Sequence, residues 1–226
     1  MDAVARTAVL AGHQLALRRG TAWLFKELPF ALHAGEVLWL RGPNGCGKTS
    51  LLRLAVGLIQ PDVGSIVWRG QPLQNADGFA QELVYIGHTQ ALKDELTVAE
   101  SLAFLATLHG RPSNTSAVVP ALKQFSVDAR RHQLVRVLSQ GQRKRVALAR
   151  LALETRPGIW VLDEPYDALD AQGMDVVDTL VSTHIARGGC VLLTSHYPAP
   201  WERHRCVRWT LGSRHEYSLL DGLGES

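Results

Sequence analysis

Residues 42 to 49 of the chain read Gly-Pro-Asn-Gly-Cys-Gly-Lys-Thr, with Ser50 next. Glycines at 42, 45 and 47 let a backbone wrap closely around oxygen atoms, with N–H groups pointing inward at a helix start. Lys48 supplies a point charge for the β and γ phosphates of a nucleoside triphosphate, and Thr49 a hydroxyl for Mg²⁺. Pro43, Asn44, Cys46 and Ser50 complete the loop. Further on, Trp160-Val161-Leu162 ends in Asp163-Glu164. In a parallel sheet such a strand end lies beside the phosphate loop. Asp163 would then hold Mg²⁺ through its water shell, while Glu164 would orient and deprotonate the attacking water. A second apolar run, Cys190 to Thr194, ends at Ser195-His196. The same geometry brings His196 to the γ-phosphate as a donor that keeps phosphate and water in line.

A fourth segment, Leu138-Ser139-Gln140-Gly141-Gln142, forms another potential anion-binding helix start. Two such sites for a single γ-phosphate are redundant within one chain. Cys46 carries two readings. A helix N-terminus and Lys48 would lower its pKa and expose it to thiol reagents; alternatively it is simply a small residue that fits the loop.

Positioning the phosphate loop, Asp163-Glu164 and His196 requires a strand before each. Val37 to Leu40 reads as a buried strand feeding the loop, and Lys48 to Leu58 as the helix after it. The first 36 residues read as short strands and turns, with further strands at Ser65 to Trp68 and Leu83 to Ile86. From about residue 89 to 155 strand signals vanish. Helices are expected at Thr97 to Leu108, Ala121 to Phe125 and Gln142 to Leu153. Buried strands return at 158–162 and 190–194, separated by a helix from Met174 to Ala186, and Val207 to Leu211 is a late strand. The fold class is therefore α/β: a sheet core from 1–88 and 156–226, interrupted by a helical block at 89–155.

The 226 residues suffice for one core or two small lobes. No run approaches the length of a membrane-spanning helix, and Met1 to Arg6 lacks a secretory layout, so a protein that neither crosses a membrane nor leaves the cytoplasm is expected. Three cysteines are too few and too scattered for a disulfide framework or a metal site. A net charge of +3 gives no argument for nucleic acid. Basic residues gather at Arg130, Arg131, Arg136, Arg143, Lys144, Arg145 and Arg150, as solvated helix faces or as a field attracting nucleotide or an anionic membrane.

In order and spacing, Gly42 to Thr49, Leu138 to Gln142, Asp163-Glu164, Asp167-Ala168-Leu169-Asp170 and His196 resemble the Walker A, signature, Walker B, D-loop and H-loop of an ABC-type ATPase. The resemblance covers nearly the whole chain and implies a P-loop NTPase cassette with a mixed sheet and an inserted helical subdomain. It implies ATP and Mg²⁺, and two copies packed head to tail, so that Ser139, Gln140, Gly141 and Gln142 serve the partner's ATP. It also implies membrane-spanning permease subunits that receive the motion of the helical lobe, with Asp170 in the connecting D-loop.

There are departures from the family pattern. Gln140 stands where glycine is commoner. The Q-loop glutamine is replaced by His88, with Gln90 two residues on as the other candidate. The aromatic that stacks on adenine is missing, and counting back from Gly35-Glu36 reaches Arg19, whose planar guanidinium could stack instead.

Tyr85-Ile86-Gly87-His88, Leu92 to Thr97, Gly70 to Leu73, Arg145 to Leu151 and Trp160 to Pro165 are similar to the ATP-binding subunits of haem-exporter, or cytochrome c maturation, complexes. That implies a peripheral subunit on the cytoplasmic face of the bacterial inner membrane. The nine histidines are scattered, so haem would be met only through partners. The ATPase of another exporter, of lipid, drug or ion, is the rival reading.

Overall fold

The computed structural model describes residues 7–197, 206–212 and 217–221; the opening Met1 to Arg6 lies outside them. The chain begins with two long antiparallel strands, β1 (Leu10–Arg19) and β2 (Ala22–Leu32), then turns into β3 (Val37–Arg41). The phosphate loop and helix α1 (Lys48–Ala55) follow, then β4 (Val63–Trp68), β5 (Gln71–Pro72), a short α2 (Phe79–Glu82) and β6 (Leu83–Ile86). Three helices come next: α3 (Val98–Leu108), α4 (Thr115–Gln124) and α5 (Gln140–Ala149). The chain closes with β7 (Ile159–Leu162), α6 (Ala171–Ala186), β8 (Cys190–Thr194), β9 (Cys206–Leu211) and β10 (Tyr217–Asp221).

Among the described residues the strands form two sheets. One runs β2-β1-β4-β5 and is antiparallel; the other runs β10-β9-β3-β8-β7-β6, parallel except for β10. The central strands are apolar without interruption because both their faces are covered. Alternation decides which face each residue meets. Val37, Trp39, Trp160, Leu162, Val191 and Leu193 pack with the helical block and α6. Leu38, Leu40, Ile159, Val161, Cys190 and Leu192 pack with α1 and the antiparallel sheet. With both faces closed, the polar residues of these strands are left at the carboxyl ends.

Local signals set the helices. Thr97 and Glu100 form a capping box for α3, Asn114 caps α4, and Ser139 with Gln142 forms a second capping box at α5. Arg111 ties the helical block to α2: its Nε meets Glu154 at 2.5 Å, and its Nη2 donates to the Gln81 carbonyl at 3.0 Å.

Several expectations are corrected. The opening strands are ten and eleven residues long, not short, because register shifts let β1 curve along both β2 and β4. Helix α1 stops at Ala55, where Val56 leaves helical geometry and Gly57 adopts a positive φ of 76°. Helix α4 starts at Thr115, six residues early, behind a polar first turn and an internal Pro120 that mask its periodicity. The basic cluster is not one solvated face. Arg143 pairs with Asp94, Arg145 with Asp170, and Lys144 and Arg150 are buried.

The inner face of α6 carries a histidine. His184 stacks on Trp160 with centroids 3.9 Å apart, and its Nε2–H donates to the Gly158 carbonyl at 3.0 Å. Burial pushes its pKa down to about 4, below the ordinary 6.5. The unfolded chain therefore takes up the proton first, and stability present above about 6.5 is lost as pH falls toward 4. Urea unfolding should show about 2 kcal/mol lost from this group between about pH 7 and about pH 5. A His184→Phe variant, which keeps a flat ring, should show a correspondingly smaller loss.

Candidate functional site

Strands β3, β7 and β8 lie side by side and parallel, so their carboxyl ends share one edge. From that edge emerge the phosphate loop, Asp163-Glu164 and Ser195-His196. They line a cleft of ≈ 570 Å³ with Arg19, Asn44, Gly45, Gly47, Lys48, Thr49, Ser50, His88, Asp163, Glu164, Asp167 and His196 on its walls. Gly42 lines an adjoining hollow with Lys48 and His196.

The loop has the backbone that its glycines permit. Gly42, Gly45 and Gly47 all have positive φ, at 145°, 83° and 106°. Gly47 caps α1 without any side-chain hydrogen bond, leaving the first N–H groups to a ligand. Lys48 arches over the loop, its Nζ donating to the carbonyls of Gly42 (2.8 Å) and Pro43 (3.2 Å). Cys46 turns the other way and is buried in the core beside α1.

The acids are held by hydroxyls. Thr49 Oγ1 donates to Asp163 Oδ2 at 3.0 Å, and Thr194 Oγ1 donates to Asp163 Oδ1 at 2.9 Å. The same Thr194 hydroxyl accepts from the Glu164 N–H at 2.8 Å. Glu164 adopts a φ of 45°, a conformation L residues avoid, and persists there because its surroundings fix it. Its carboxylate stands 3.4 Å from His196 Nε2. Burial pushes the Glu164 pKa up; His196 opposes, Asp167 reinforces, Lys48 opposes and Asp163 reinforces. A carboxylate so placed is a stronger base than an ordinary glutamate. The segment bearing His196 is anchored from below, Trp39 Nε1 donating to the Ser195 carbonyl at 3.0 Å.

Of the two Q-loop candidates, His88 lines the cleft, whereas Gln90 turns back and donates to the His88 carbonyl at 3.4 Å. Arg19 reaches the same cleft from the end of β1. Ser139, Gln140, Gly141 and Gln142 are not on its walls. They open α5 beside Ala168, whose carbonyl lies 3.1 Å from where a Cβ on Gly141 would sit. Asp170 is also apart: it caps α6 through the Gly173 N–H and pairs with Arg145 at 2.6 Å. The backbone and side-chain bonds from Gly173 and Arg145 hold its pKa low. Sequence reasoning gave no site role to Thr194 or Lys144, and of the D-loop motif it singled out Asp170, whereas Asp167 is the one that lines the cleft. The buried Lys144 donates from α5 to the Asp163 carbonyl at 3.3 Å. Burial lowers its pKa against the opposing pull of Asp167, Asp163 and Glu164.

The sequence profile of the ABC transporter family matches residues 25–167. The chain belongs to the ABC transporter family. It is an ATP-binding ATPase chain of that family. It is 44% identical, over 184 residues, to the cytochrome c biogenesis ATP-binding export protein CcmA of Albidiferax ferrireducens, covering 81% of this chain and 87% of that one. The CcmA of Escherichia coli is 42% identical over 191 residues, 84% and 90% of the two chains. Solved ABC cassettes share the fold. One, an ATP-binding subunit of an ABC transporter, superposes with a TM-score of 0.80 at 24% identity over 94% of this chain and 90% of its own. Another, a post-hydrolysis dimer of an ATP-binding cassette bound to ADP and Pi, gives 0.82 at 20% identity over 96% and 100%. Among the described residues no helix of this ABC protein is long and apolar enough to cross a membrane.

Thr194 offers a direct test of this geometry. Thr194→Val removes the hydroxyl that joins both acids and leaves the part-buried Glu164 N–H unpaired, a cost of about 1–3 kcal/mol. Steady-state ATPase assays should show turnover reduced about tenfold or more, with ATP binding by equilibrium dialysis within about threefold of the parent.

Proposed function

We propose that this chain is the ATPase subunit of a haem-handling complex of cytochrome c maturation, acting on the cytoplasmic face of the bacterial inner membrane. The observation that carries this reading is the 42–44% identity, over 79–88% of the chain, to relatives named as cytochrome c biogenesis ATP-binding export proteins. Permease subunits would span the membrane, and haem would be met through them.

In the proposed mechanism the triphosphate of ATP lies on the loop from Gly42 to Ser50, with Lys48 swinging from its loop carbonyls to the β and γ phosphates. Arg19 stacks on the base. Thr49 and Asp163, two hard oxygen donors 3.0 Å apart beside that loop, fit Mg²⁺. The ion would neutralise charge on the phosphates. Glu164 takes the proton of the attacking water, its basicity raised by burial. His196 holds water and γ-phosphate in line, and His88 fills the Q-loop role. The signature segment, which is not on the walls of its own cleft, serves the ATP of a second copy packed head to tail, with Asp170 in the connecting D-loop. ATP thus joins two copies, hydrolysis releases them, and the helical block at 89–155 passes the movement to the permease from a core of 1–88 and 156–226.

Two experiments test this. Glu164→Gln should bind ATP with parental affinity, lose at least about 99% of turnover, and elute as an ATP-dependent dimer on size exclusion. Parental turnover in that variant would remove the general-base role. Purification of the chain from its native membrane in mild detergent should recover permease subunits and haem. Recovery of an unrelated permease for lipid, drug or ion would replace the cargo and leave the ATPase chemistry standing.

A further inference from the structure

Lysine is seldom buried, and Lys144 is 5% exposed. It lies on α5, little more than one turn beyond Ser139, the residue that caps that helix. Among the described residues its ammonium pairs with no carboxylate oxygen; it donates to the backbone carbonyl of Asp163 at 3.3 Å. That carbonyl belongs to the peptide whose other end, the Glu164 N–H, donates to Thr194 Oγ1 at 2.8 Å. One peptide plane is therefore gripped from both sides, by α5 and by the end of β8. The grip falls next to Glu164, whose φ of 45° needs outside support to persist.

We infer that Lys144 is a positioning residue for hydrolysis: by holding the Asp163–Glu164 peptide it aims the Glu164 carboxylate, and it does so from the signature helix. This rests on the proposal that Ser139 to Gln142 meet the partner's triphosphate. A phosphate arriving at the start of α5 then bears, within two turns of helix, on the base of the other site. The two reaction centres of the dimer are linked through a single buried side chain. Lys144 itself does not line the cleft, and acts only through the peptide it holds.

The test compares Lys144→Met, Lys144→Gln and Lys144→Arg in the full chain, with Glu164→Gln alongside. Lys144→Met should lower kcat at least about tenfold, while KM and the ATP Kd stay within about threefold, since the phosphate loop is untouched. Lys144→Arg keeps charge and donor and should return kcat to within about threefold of the parent. Lys144→Gln, a donor without charge, should fall between, and carries the comparison if the Met variant does not purify. Parental kcat in Lys144→Met and Lys144→Gln overturns the inference. So does a kcat loss accompanied by an equal loss of ATP binding, or an Arg variant as impaired as Met, because either marks a merely structural lysine. Glu164→Gln separates the two readings. If it still hydrolyses ATP, the base assignment has failed; if it is dead while Lys144→Met is not, only the role of Lys144 has.

Discussion

The Thr194 hydroxyl is the point on which the site turns. It accepts from the Glu164 amide and donates to Asp163, joining the carboxyl ends of β7 and β8. Thr49, at the start of α1, reaches the other oxygen of the same aspartate. Three segments distant in sequence are thus locked through one carboxylate. The lock is possible because the sheet beneath is buried on both faces, which leaves the strand ends as the place where hydroxyls and acids can meet. A fully buried hydroxyl with both bonds made is a rigid connector, since any rotation would break one of them.

The parts of the site legible in the sequence were those written as contiguous motifs at strand ends. Glycine spacing announced the phosphate loop, and apolar runs ending in Asp163-Glu164 and in Ser195-His196 placed these residues together, because parallel strands in register bring their ends together. Thr194 was hidden: a threonine closing an apolar run looks like any other β-branched strand residue. Lys144 was lost inside a basic run, where composition cannot distinguish a solvated lysine from one turned beneath a helix. His88 and Gln90 differ by two positions in a loop, and only the path of the backbone decides which side chain enters the cleft.

Errors in the fold came from the same source. The β1–β2 pair bends at register shifts, so strict alternation breaks and each long strand reads as a short one. Helix α4 hides behind a polar start and a proline. In both, tertiary packing completes what local pattern leaves ambiguous. The central strands had no such ambiguity, and their bounds were read to within a residue or so.

Gly42 and Cys46 illustrate a quieter restriction. A Cβ on Gly42 would collide with the Leu211 carbonyl oxygen and sit 2.8 Å from Cys46 Sγ. The sulfur thus fills the space beneath the loop, close against Gly42 at its start. Drift at position 46 is confined to side chains of about that volume, whatever their chemistry. Anything bulkier would have to lift the loop from its bed, so the repertoire tolerated there is governed by the room beneath the loop.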